Sequence, residues 1–205
     1  MSVESSFLAC DDKPGMAWLV ELPGVCWTAE DALAARQRLP ACVLDIMVAA
    51  DQDETWVYVF PHGAADRLFA SSNEAAYALL GATPGDAPAF RARILQGLKQ
   101  LGDSGSAPAH RWHYTAQTDI EAQEEDEFNE WFDQEHLPLL AKVPGTVRAR
   151  RYRTDGTPRY LACYDLQTRE THGSPAWKAA ASTPWRNKIH ESFVSPRRMM
   201  FMRLL

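Results

Sequence analysis

The strongest constraint on the fold is a pattern that occurs twice. LPACVLDIMVAADQDETWVYVF (residues 39–60) aligns without a gap onto VPGTVRARRYRTDGTPRYLACY (residues 143–164), an offset of 104. Pro40 meets Pro144, Val43 meets Val147 and Asp51 meets Asp155, while Trp56, Val57 and Phe60 meet Tyr160, Leu161 and Tyr164. Each copy reads helix, proline, hairpin. The identities are few, but the shared order of elements makes a tandem duplication the better reading. At the same offset Trp131 meets Trp27, whereas Glu135 meets Asp31 and His136 meets Ala32. The first copy keeps the scaffold and lacks the imidazole.

The rest of the chain fits around this pattern. MAWLVEL (16–22) reads as a strand closed by Pro23-Gly24. Thr28 caps a helix over 29–38, with Glu30 and Asp31 in its first turn. Segments 42–50 and 55–60, rich in β-branched and aromatic residues, form a hairpin about DQDE. Residues 65–82 are expected to be helical up to Gly81, and 89–101 fit either a strand or a helix. GDSGSAPAH (102–110) is the best linker and divides the chain into halves of 1–102 and 110–205. Beyond it come a strand at 111–117, an acidic helix, strands at 146–154 and 158–166, a helical region at 175–191 and a final strand at 197–205. That order, β-α-β-β-α-β, is ferredoxin-like. The expected class is therefore α+β, with tandem ferredoxin-like halves in one chain whose sheets lie face to face.

The acidic helix is the candidate site. In EEDEFNEWFDQEHLPLLAKVPG, Phe128, Trp131 and Phe132 stand at i, i+3 and i+4, one buried face, and are expected in the core. Glu135 falls near the middle of that face and His136 toward its edge. The run Glu124 to Glu127 suits the positive end of the helix dipole. Thr118 and Glu121 are spaced as a capping box. Pro138 is expected to stop the regular helix near Glu135 or His136, and Pro144-Gly145 makes the turn into the next strand.

Charge and cysteine usage narrow the function. A net charge of −6 argues against a surface that grips nucleic acid through its phosphates. The arginines of 148–153 are split between two faces by strand alternation. No apolar run approaches the roughly 18 residues of a membrane helix, and MSVESSFLACDD lacks the basic start and apolar stretch of a signal peptide. Cys10, Cys26, Cys42 and Cys163 form no CxxC pair and suit reduced thiols in a cytoplasmic protein. Phosphate loops, dinucleotide fingerprints, nucleophile elbows and metal-ligand spacings are all missing from the sequence, so neither metal nor cofactor is expected.

EFNEWFDQEHLPLLAKVPGTVRARRY, followed by PRYLACYDL, SPAW and TPW, resembles the dimeric α+β-barrel superfamily and, within it, the EthD-like group, over roughly residues 110–205. The resemblance implies two four-stranded sheets closing a barrel, helices outside, and a small-molecule site between sheet and helices. The superfamily includes cofactor-free monooxygenases, lactone isomerases, polyketide cyclases and haem-using enzymes. Its implied ligand is a small apolar molecule, carbonyl-bearing or aromatic, and a homodimer is an admissible assembly.

His136 is the candidate acid/base, since an imidazole titrates near neutral pH and the matching position in related isomerases carries a functional histidine. The alternative is a structural histidine capping carbonyls at a helix end. Glu135 is a candidate for orienting His136, for acting as a base if buried, or for binding substrate; the plainer reading pairs it with Arg148, Arg150 or Arg151. Tyr152, Tyr160 and Tyr164 on the hairpin are candidates to bind a ligand oxygen or simply to pack. Tyr160 and Tyr164 share a face. His113 joins this set, although a lone strand histidine is more often structural. Trp177 and Trp185 either close one end of the cavity or fill the core. A helix histidine ahead of a proline is not enough to specify haem. The functions left open are a cofactor-free enzyme (isomerase, cyclase or monooxygenase type), a non-catalytic accessory or ligand-binding protein, and a domain whose cavity is filled by side chains and that only assembles.

Overall fold

Every residue of the strand Tyr160–Leu166 is buried, on both faces. A strand of this kind must belong to a sheet covered on each side. The computed structural model, which describes residues 15–62, 68–102 and 110–204, meets that demand by closing the sheet on itself. Strands β1 (Ala17–Pro23), β2 (Cys42–Ala49), β3 (Glu54–Pro61), β4 (Arg91–Gly102), β5 (Trp112–Ile120), β6 (Thr146–Thr154), β7 (Tyr160–Leu166) and β8 (Phe193–Leu204) form a closed barrel. The order around it is β1-β3-β2-β8-β5-β7-β6-β4, and every neighbouring pair is antiparallel. Closure leaves no free edge.

Alternation sorts the side chains into three layers. Leu19, Met47, Trp56, Tyr58, Tyr152 and Phe201 fill the barrel. Outside β1–β4, Trp18, Ile46 and Val59 pack against helices α1 (Ala29–Arg38) and α2 (Ser72–Leu80). Outside β5–β8, Tyr160, Ala162 and Tyr164 pack under α3 (Glu125–Trp131), α4 (Leu137–Ala141), α5 (Pro175–Ala181) and α6 (Pro184–His190). Phe128 and Trp131 are in this core as expected. Thr28 caps α1 in a capping box with Asp31, and Gly81 ends α2 in the left-handed region at φ 62°.

The structure corrects several expectations. The ambiguous segment 89–101 is strand β4, because β1 and β6 flank it and long-range pairing overrides local propensity. The helix expected over 65–82 begins only at Ser72, capped by Ser71; residues 63–67 lie outside the described residues, as do 103–109 of the expected linker. Thr118 is not a cap. It belongs to β5 and its hydroxyl donates to the carbonyls of Asp119 and Val194. The last strand starts at Phe193, four residues early, with Ser195 at φ 50° beside Pro196; a proline in a ladder requires such an irregularity.

Pro138 does not end the helix. Phe132–His136 widen into a π-turn, and the N–H of Leu137 bonds to the carbonyl of Phe132, five residues back. The extra residue makes room for the proline ring in the first turn of α4, where a missing N–H costs little.

The repeat is also out of phase beyond its proline. At an offset of 104, Trp56 and Tyr58 inside the barrel are matched to Tyr160 and Ala162, which face the helices. A one-residue slip exchanges faces. The cause is a bulge: between Thr146 and Arg148 two steps on β6 oppose one step on β7. Past it, an offset of 105 puts Val57 on Ala162 and Val59 on Tyr164, all four facing helices.

Candidate functional site

The cavity exists because two small residues stand among large ones. Ala116 on β5 and Ala162 on β7 are direct cross-strand partners facing the helices. Tyr114, Tyr160 and Tyr164 occupy the same face around them. Over this alanine floor, helices α3–α6 leave a cavity of about 300 Å³, at the lower end of small-molecule pockets. Phe128, Trp131, Phe132, His136 and Trp177 line its helical side.

The π-turn is what aims His136. In a regular α-helix a residue five positions on lies about 140° round the axis. In a π-turn it stands nearly above, and His136 accordingly stacks on Trp131, ring centroids 4.3 Å apart at 27°. Phe132 meets the imidazole edge-on at 4.9 Å. The ring is half-buried and makes no hydrogen bond among the described residues. Burial first, then the cationic side chains of Arg186, Arg151 and Arg198, push its pKa down to about 3. The imidazole is therefore neutral at pH 7, with one nitrogen able to accept and the other to donate.

Tyr160 and Tyr164 line the same cavity. The Tyr160 hydroxyl donates to Glu125 at 2.6 Å, whereas that of Tyr164 is buried with no partner among the described residues. Glu135, Tyr152, His113 and Trp185 are placed elsewhere. Glu135 accepts from Trp131 Nε1 at 3.1 Å and from the Thr183 hydroxyl, tying α3 to the cap of α6. The arginines expected as its partners are held by Asp165 and Asp133. Tyr152 and His113 point into the barrel by strand alternation, and both are fully buried there. Trp185 donates to Glu127 at 3.0 Å, closing α6 on α3.

The sequence reading missed Tyr114, His172, Arg186, His190 and Arg198, all of which line the cavity. Tyr114 and the alanines were readable from alternation: Tyr-x-Ala on β5 and Tyr-x-Ala-x-Tyr on β7 mark a floor between aromatic walls. The rest come from separate elements and carried no local signal.

Arg151 is the buried cation of the site. Its guanidinium lies 4.5 Å from the Phe132 ring centroid, 5.0 Å from Phe128 and 5.1 Å from Tyr160. It donates to Asp133 at 3.1 Å and to Asn129 at 2.6 Å. The site does not suit a metal ion. Metal-bound imidazoles nearly always donate their second nitrogen to a carboxylate or carbonyl; His136 has no such partner among the described residues and three arginines face it. No metal-ligating cluster of His, Cys, Asp and Glu occurs among the described residues.

No protein-family model matches this chain, and no curated protein matches it in sequence. Solved structures do match in fold. A candidate monooxygenase from Fusobacterium nucleatum superposes with a TM-score of 0.62 at 9% identity, over 93% of this chain and 92% of that one. A ferredoxin-fold protein related to antibiotic biosynthesis monooxygenases, from Listeria monocytogenes, gives 0.53 at 10% identity over 93% and 95%. A heme-degrading enzyme from the same organism gives 0.52 at 10% identity over 91% and 98%. The chain shares their ferredoxin-type α+β-barrel fold. No helix among the described residues is long and apolar enough to cross a membrane.

Proposed function

We propose that the protein binds a small aromatic or apolar carbonyl-bearing metabolite in the cavity between β5–β8 and α3–α6, and acts on it without a cofactor. The observation that carries this reading is the neutral imidazole of His136, without a hydrogen-bond partner among the described residues, on the wall of a preformed cavity. A neutral histidine held among arginines is a weak base toward water. It suits a substrate whose own C–H or O–H is acidic: the proton passes to His136, and the electron pair stays on the substrate as an enolate or phenolate that the nearby guanidinium groups favour. A candidate monooxygenase stands among the structural neighbours, which is consistent with a small-molecule site in this fold. The heme-degrading neighbour raises haem as a ligand. His136 makes no second hydrogen bond among the described residues of the kind that orients a metal-bound imidazole, so it does not fit the role of holding a haem iron. The accessory reading, binding without chemistry, is favoured by the same low basicity of His136.

We also infer that the chain is a tandem of two ferredoxin-like halves related to the EthD-like group. The strand orders β4-β1-β3-β2 and β8-β5-β7-β6 are the same order used twice, and the single bulge in β6 accounts for the phase change in the repeat.

The test of chemistry is exchange of the α-protons of 2-tetralone in deuterated buffer, followed by NMR. The protein is expected to accelerate exchange, and His136→Ala to lower that acceleration about 10²-fold or more. The variant should lose only about 1 kcal/mol of stability, the worth of one aromatic stack. Ala162→Leu, which fills the floor, should abolish both binding and exchange. Exchange that is unaffected by the protein, or by His136→Ala, selects the accessory reading.

A further inference from the structure

The cavity carries positive charge that no carboxylate among its described lining residues neutralises. None of its lining residues is an aspartate or glutamate, while Arg151, Arg186 and Arg198 all contribute to it. Arg151 has Asp133 at 3.1 Å. Arg186 and Arg198 have no carboxylate within ion-pair distance among the described residues. Arg186 reaches Asn187 at 3.3 Å, and Arg198 stands 3.4 Å from His190 Nε2. Away from the cavity, Arg93 is held by Glu21, Arg197 by Glu54, and Arg148, Arg150 and Arg203 by Asp165, while Arg36 and Arg38 donate to the carbonyls of Leu204 and Leu79. Arg186 and Arg198 stand out because two guanidinium groups without a carboxylate, from helix α6 and strand β8, line one cavity.

The position of Arg198 fits a role at the mouth, and Arg186 lines the cavity that it opens into. Arg198 is exposed, and with Tyr114 and His172 it lines both the inner cavity and an outer depression of about 500 Å³. The carboxylates of that outer depression are Asp51, already paired with Arg169 at 2.8 Å, and Glu170. Inside, the Tyr164 hydroxyl has no partner among the described residues and the walls are aromatic. All three imidazoles on the wall, His136, His172 and His190, are pushed below their ordinary range by burial first and then by a field in which Arg198 takes part each time.

We propose that the ligand is an organic anion: an aromatic or apolar body seated on the alanine floor, with a carboxylate or similar group bound by Arg186 and Arg198 at the mouth. This rests on the cavity being the ligand site, and it adds the charge of the ligand and the residues that select it. Guanidinium is the group that meets a carboxylate through two parallel hydrogen bonds and cannot shed its own proton. The apolar portion is matched by Trp131, Phe128 and Trp177, and an anion at the mouth supplies the charge that the lining omits.

The experiment compares two probes of one shape, 2-naphthoate and 2-naphthalenemethanol, titrated into the full-length protein and followed by calorimetry and tryptophan fluorescence. The carboxylate is expected to bind at least about tenfold tighter than the alcohol, a difference of about 1.4 kcal/mol. Arg186→Gln/Arg198→Gln should erase that preference while leaving the alcohol within about twofold; the two single variants serve if the double variant does not fold. Ala162→Leu should remove both ligands, which separates cavity binding from surface binding. Equal affinities, or a preference that survives both arginine substitutions, overturn the anion assignment and leave the cavity as the ligand site. Binding of neither probe overturns both. Anion preference without 2-tetralone exchange retains this assignment and removes only the chemistry.

Discussion

Asp165→Ala is expected to cost at least about 3–5 kcal/mol or to prevent folding, the range for stripping one member from a buried ionic group. Asp165 is 1% exposed, inside one end of the barrel. It accepts from His113 Nδ1 at 2.7 Å, Arg148 at 2.7 Å, Arg203 at 3.1 Å and Arg150 at 3.3 Å, and His110 stands 3.4 Å away. Arg203 is shared with Asp45, at 2.6 and 3.0 Å. Removing the carboxylate leaves three guanidinium groups gathered in a largely buried site with one anion between them. Burial alone raises the Asp165 pKa, but Arg150, the nearby His110 and the hydrogen bond from His113 hold it well below the usual carboxylate range. A depressed carboxyl stabilises the fold above its unfolded pKa, about 3.9, and that stabilisation is lost as pH falls through the folded value. His113 and His136 act at higher pH. Their folded pKa values are lowered, so stability falls as pH drops below about 6.5, by about 1.4 kcal/mol per pH unit for each group, until the folded value is reached. Urea denaturation followed by circular dichroism from pH 8 to pH 3 checks both, and a loss under 1 kcal/mol for Asp165→Ala at pH 7 would mean that solvent already screens the cluster.

How legible was this structure in the sequence? The order of strands and helices pointed to an α+β, ferredoxin-like architecture, because periods of two and of 3.6 mark which faces must be buried, and the closed barrel came from the family resemblance. The failures have local causes. The β6 bulge at Val147 is one residue in an otherwise regular strand, and it reverses which face each later position takes. Tyr152 thus belongs to the barrel interior and Tyr160 to the cavity, a distinction that tyrosine as a residue type does not carry. The π-turn was hidden behind Pro138, whose usual reading is a stop. His136 was found from its place at the edge of the apolar face, but its stack on Trp131 depends on that turn. His113 and Asp165 lie 52 residues apart and meet only through the pairing of β5 with β7, with His113 directly opposite Asp165. Arg186 and Arg198 reach the cavity from a short helix and the last strand, and no spacing in the sequence links them.

Trp131→Ala is expected to lose about 3–5 kcal/mol, the range for truncating a large buried aromatic side chain. The side chain is 1% exposed and lies at the centre of the packing under α3. It meets Phe132 edge-on at 5.0 Å, Phe128 at 6.1 Å and Phe193 at 6.2 Å. Its Nε1 donates to Glu135, which also holds the Thr183 cap of α6, so truncation loosens the joint between two helices as well as emptying space. The void would open into the cavity, enlarging it and releasing the face of His136 that the indole now covers. Trp131→Phe separates these effects. It keeps most of the ring and the stack, gives up the hydrogen bond to Glu135, and should cost about 1–2 kcal/mol. A double-mutant cycle with His136→Ala should return a coupling of about 0.5–1.5 kcal/mol for the stacked pair. Chemical denaturation that shows less than 1 kcal/mol for Trp131→Ala, or no coupling to His136, would mean that the indole does not hold the imidazole. The site at the π-turn would then be too loosely built to position a proton acceptor.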